Sequence, residues 1–129
     1  PMHTAINLAI IGAGGFTGAI LRFLISSWVQ SRSTSAIFPL GTLAVNMLGC
    51  LLIGFLSALA ENQGIFSQET RRFVLIGLLG AFTTFSTFGN ETLNLLQASK
   101  LELAMLNIGL QVMLGVGLVW AGRLLAALL

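Results

Sequence analysis

Gly80-Ala81-Phe82-Thr83-Thr84-Phe85-Ser86-Thr87-Phe88-Gly89-Asn90-Glu91-Thr92 places hydroxyls, phenyl rings and one carboxylate inside a long apolar run. Polar groups at membrane depth are costly. They persist mostly where they face protein, a water-filled cavity or an ion. That the surroundings are membrane follows from composition. Of 129 residues, 56% are hydrophobic and only 8% charged, against about 25% charged in a soluble domain. A chain of this length accommodates four spanning helices of about 20 residues with short loops. The fold class read here is therefore all-α, a single multi-pass membrane domain over residues 1–129 with no soluble domain. So small a bundle has little lateral room for a pathway, so a conducting role calls for an oligomer.

Other classes fall away. The net charge is +2, but the six basic residues do not cluster, so no nucleic-acid surface is read. Cys50 stands alone in an apolar run, without neighbours at metal-ligand spacing, and reads as a small buried packing residue. The first apolar run lacks a preceding basic flank and a clear cleavage site, as expected of a retained helix rather than a signal peptide. Asp is absent, His3 is terminal, and no nucleophile–base pair appears, so no enzyme is expected.

Helices are expected over about residues 4–28, 38–60, 70–97 and 103–128. In the first, Gly14-x-x-x-Gly18 puts two glycines on one face and calls for close helix packing. Arg22 lies in the same run. It serves either as an anchor that snorkels to the interface or as the positive wall of an anion vestibule. Asn46, about two turns inside the second helix, is either interhelical glue or an amide donor to an anion or water. The third helix is expected to break near its middle, over 80–84, because Gly, Thr and Ser offer the backbone competing hydrogen bonds. A break exposes carbonyls at one end and amides at the other. Phe85, Phe88 and Glu91 then follow an i, i+3 series on the second half-helix. Phenyl edges carry positive potential and suit an anion, although rings at this spacing are more often packing residues. In the fourth helix Asn107 and Gln111 are four apart and should share a face, continued by Gly115, as glue or as one wall of a hydrated track.

Arg71, Arg72 and Arg123 fall on the side of both termini, and Arg22, Arg32 and Lys100 on the other. With no positive-inside bias, dual topology is expected: copies inserted both ways and paired as an antiparallel homodimer.

Gly41-Thr42-Leu43-Ala44-Val45-Asn46, Arg22 in a Gly-rich first segment, and Thr83-Thr84-Phe85-Ser86-Thr87-Phe88 with Glu91 closely resemble the bacterial fluoride channels of the Fluc/CrcB family. The resemblance covers essentially the whole chain. It implies a fluoride-selective channel that passively exports fluoride across the bacterial inner membrane, built as an antiparallel dual-topology homodimer with two pathways and a structural sodium ion at its centre. Carried over, Phe85 and Phe88 would offer ring edges to fluoride, with Asn46 as an amide donor beside them. Ser86, Thr87, Glu91 and Gln111 would lie along the pathway, and Arg22 in the vestibule. The backbone carbonyls of Gly80 and Thr83 from both subunits would hold the sodium. This chain departs from the family's usual pattern at Ala81, Phe82, Gly89-Asn90, Asn107 and Gln111. A proton-coupled small multidrug exporter is the main rival, but it expects a carboxylate in the first helix, where this chain has only Arg22. A structural or assembly subunit is the second rival.

Overall fold

Long apolar runs without internal proline can satisfy their backbone in lipid only as helix. In the computed structural model, which describes residues 1–129, four helices are long and apolar enough to cross a membrane: Met2–Arg32, Leu40–Asn62, Gln68–Gln97 and Leu101–Ala127. The first span packs along the first half of the third, and the second along the latter half of the fourth; the first and second also touch. Glycines set these close approaches. A Cβ on Gly14 would meet the Phe73 carbonyl oxygen, and one on Gly18 the Leu78 carbonyl oxygen. The glycine face read from the sequence thus packs within the chain. Few side chains are fully enclosed, and many large apolar ones, among them Phe16, Phe23 and Trp120, are exposed, as expected of a bundle that buries its outside in lipid.

The first helix extends to Arg32 rather than ending near residue 28, because Gln30 is structural. Its Nε2 donates to the carbonyls of Ser35 and Phe38, and its Oε1 accepts the Gly41 N–H. One amide therefore holds the connecting loop and the start of the second span. At the opposite end Arg71 donates to the Ala60 carbonyl at 2.8 Å, which caps the second span, and Arg123 forms a two-pronged ion pair with Glu61.

Within the third span Gly80, Ala81 and Phe82 are helical, contrary to the expected range 80–84. Only Thr83 (φ −92°, ψ 161°) and Thr84 (φ −152°, ψ 119°) are extended, and helix continues from Phe85 to Gln97. The physical cause is tertiary. Asn46 offers Thr84 a donor and an acceptor in place of its helical partners, and the Thr84 hydroxyl accepts the Thr87 N–H as a helix cap. Gly49 makes the approach possible, since a Cβ there would strike Thr83 Cγ2.

The fourth span departs locally from a plain α-helix. Residues Leu110–Leu114 form a π-helical turn, which shifts the angular register of everything beyond it. Asn107 and Gln111 bond different spans: Asn107 bonds Thr92 of the third, and Gln111 bonds Asn46 of the second.

Candidate functional site

A cavity of about 250 Å³ opens between the second, third and fourth spans, lined among others by Asn46, Cys50, Thr83, Thr84, Phe85, Phe88 and Gln111. Phe85 and Phe88 meet edge to face, with centroids 5.5 Å apart and planes at 62°. Their i, i+3 spacing does bring the rings together, but their environments differ. Phe88 is buried at 8% exposure, whereas Phe85 is 80% exposed in the single chain.

Asn46 holds the centre. Its Nδ2 donates to the Thr84 carbonyl and to Gln111 Oε1, each at 3.0 Å, and its Oδ1 accepts the Thr84 N–H at 2.8 Å. A side-chain amide carries two N–H hydrogens, so both are engaged. The Gln111 Nε2 is buried without a partner, as is Asn107 Oδ1. Asn107, fully enclosed, donates at 3.0 Å to the Thr92 hydroxyl, which in turn donates at 2.7 Å to the Phe88 carbonyl. That relay ties the half-helix bearing the rings to the fourth span.

On the far side of Thr84 lies a groove of about 220 Å³ containing Arg22, Ser26, Thr42, Thr84 and Thr87. Arg22 makes no ion pair and no side-chain hydrogen bond, so its charge is left for the groove. A neighbouring cleft of about 410 Å³ has an all-polar lining that includes Ser26, Gln30, Thr42 and Glu91. There Thr42 donates to the Glu91 carboxylate at 2.6 Å. The structure thus divides the sequence-derived residues: Asn46, Phe85, Phe88 and Gln111 share one cavity, while Arg22, Thr87 and Glu91 line two recesses beyond it. Ser86 is exposed on the half-helix.

Two contributors went unread. Thr42 joins both recesses, and Thr84 borders the cavity on one side and the groove on the other. Both lie within the motifs quoted above, and Thr42 stands one helical turn before Asn46. That spacing was the available signal.

Gly80 and Thr83 can be tested as holders of a hard cation. In a continuous helix their carbonyls would accept from Thr84 and Thr87, four residues on. Those N–H groups donate instead to Asn46 Oδ1 and Thr84 Oγ1. Neither carbonyl accepts any other hydrogen bond within the chain, and Gly80 is exposed. Unengaged carbonyl oxygens are the donors sodium prefers, so the residues fit.

A family model described as CrcB-like protein, Camphor Resistance (CrcB), matches residues 9–123. The chain belongs to the CrcB family. It is similar to proteins named fluoride-specific ion channel: FluC 1 of Methanosarcina acetivorans is 47% identical over 120 residues, covering 93% of this chain and 90% of the relative. FluC of Sulfurovum sp. is 47% identical over 118 residues, covering 92% and 91%. FluC of Oceanobacillus iheyensis is 41% identical over 120 residues, covering 93% and 91%. For a CrcB protein the four spans are read as those of a multi-pass membrane channel, not an enzyme.

Proposed function

We propose that this CrcB protein is a fluoride-selective channel, and that it passively exports fluoride across the bacterial inner membrane and so lowers cytoplasmic fluoride. The observation that carries the reading is the phenyl pair, Phe85 against Phe88, on the wall of a cavity that also holds the Asn46 and Gln111 amides. Similarity to channels named for fluoride supports it. Fluoride is small and tightly hydrated, so its path must replace water with several weak donors and still let the ion leave. Ring edges do this without a fixed positive charge. Hydroxyls of Ser86 and Thr87 extend the path, the Arg22 groove concentrates anions at its mouth, and Glu91, bonded to Thr42, borders the polar cleft.

The working form is an antiparallel dual-topology homodimer. Its support is the even division of basic residues between the two sides and the 80% exposure of Phe85, a ring that a second subunit would cover. In that dimer the third span acts as a broken helix at Thr83 and Thr84. The carbonyls of Gly80 and Thr83 from both copies would hold a structural sodium ion, whose charge would tie the two copies together at this point.

Fluoride efflux from proteoliposomes tests the function. The expected result is uncoupled fluoride flow with little chloride flow, strongly reduced by Phe85→Ile or Phe88→Ile. Chloride flow of similar size, or proton-coupled export of a cationic drug, would overturn it.

A further inference from the structure

A buried donor without a partner is rare in a folded protein, because leaving it unmade forfeits its hydration. Gln111 Nε2 is such a donor, and Gln111 lines the cavity that holds the phenyl pair. Its orientation is dictated by backbone groups whose roles cannot change. The Thr84 N–H can only donate, so Asn46 turns its oxygen toward it; the Thr84 carbonyl can only accept, so Asn46 turns its nitrogen there. With Asn46 pinned at both ends, its second Nδ2 hydrogen meets Gln111, which must answer with Oε1. The Nε2 of Gln111 is thereby turned away from Asn46 with both hydrogens unused. The other orphan, Asn107 Oδ1, is an acceptor, and it suits a water hydrogen rather than an anion.

We propose that Gln111 Nε2 is the amide that binds the permeating anion beside the phenyl pair, and that Asn46 is the positioning residue that aims it. This rests on the fluoride reading above and revises one part of it. Asn46 has no hydrogen left to give an ion, because both are spent on Thr84 and Gln111. Gln111 supplies two hydrogens from a neutral group, which replace part of fluoride's hydration without trapping the ion as a fixed cation would.

The test is fluoride efflux from proteoliposomes, read by a fluoride electrode over a range of fluoride concentrations, with wild type measured first. A wild type that passes no fluoride overturns the fluoride reading, and this proposal with it; the remaining outcomes concern only the roles of Gln111 and Asn46. Gln111→Met keeps the length of the side chain and removes the donor. Flux should fall by about tenfold or more, the scale of a lost hydrogen bond to a charged group, and the half-saturating fluoride concentration should rise. Gln111→Glu keeps an oxygen for Asn46 but presents a carboxylate to the anion, so its loss should be larger. Should Gln111→Met fail to fold, Gln111→Glu decides the matter. Asn46→Asp still accepts from Thr84 but turns a second oxygen toward Gln111, which would swing Nε2 to Asp and out of the cavity. Its flux should fall, and adding Gln111→Met should lower it little further. Wild-type flux in a folded Gln111 variant overturns the assignment, as does a reduced flux with unchanged half-saturation. Full additivity of the two substitutions overturns the positioning role of Asn46.

Discussion

Replacing Thr92 by valine should destabilise the protein more than replacing Thr92 and Asn107 together. The side chains of Thr and Val have nearly the same shape, so packing is conserved and the hydroxyl alone is lost. In the native relay Asn107 Nδ2 donates to Thr92 Oγ1 at 3.0 Å, and Asn107 is fully buried with its Oδ1 already unpartnered. Thr92→Val removes an interhelical bond worth roughly 0.6 kcal/mol, with about 1.7 the upper end in membranes. It also strands Nδ2, at a cost of about 1–3 kcal/mol, so a total loss of about 2 kcal/mol is expected. Adding Asn107→Val removes both stranded groups and should recover about 1 kcal/mol, a coupling of the sign seen between directly contacting residues. Thermal unfolding in mild detergent, run as a complete cycle of the two single variants and the double, measures this. A neutral Thr92→Val, or a double variant whose loss equals the sum of the singles, would refute the relay. Fluoride flux of Thr92→Val should fall less than that of Phe88→Ile, because the relay holds the carbonyl of Phe88 and not its ring.

Gly18→Ala should destabilise by about 1–3 kcal/mol, the usual range for overpacking, because its Cβ would meet the Leu78 carbonyl rather than a side chain that can turn aside; the same thermal assay checks it. Arg123→Ala should leave thermal stability nearly unchanged and flux unchanged, because the pair with Glu61 is about half exposed and screened by solvent. Replacing all sodium by a large organic cation should weaken dimer function, read as flux and as the dimer fraction in detergent; unchanged values after exhaustive removal would count against the Gly80 and Thr83 site. Tags at the termini should be accessible from both sides of the membrane, and a single orientation for every copy would sink the antiparallel dimer.

Much of the site was legible because its residues violate the chemistry of their surroundings. Asn46, Arg22 and the Thr-rich run stand out in apolar sequence whatever their neighbours, and the i, i+3 spacing of Phe85 and Phe88 forces their rings together. What could not be read were partnerships across spans. Asn46 looked equally suited to glue and to ion binding, and its engagement depends on Thr84 and Gln111, 38 and 65 residues away. Nor could the spacing of Asn107 and Gln111 show that they bond different spans, Thr92 of the third and Asn46 of the second.

Hydropathy and length were enough to decide four membrane spans, since lipid leaves an apolar chain no other way to satisfy its backbone. The run from Gly80 to Thr92 was enough to mark where the third would depart from a plain apolar helix. That only Thr83 and Thr84 leave the helix was decided by tertiary structure. Local propensity weakens the helix over several residues, but the Asn46 amide rebonds just one of them, and Gly49 lets the chain come close enough. The same contact turns the Gln111 amide oxygen toward Asn46 and leaves its nitrogen without a partner. Hydrogen-bond direction belongs to pairs of groups, and those pairs exist only once the helices are packed.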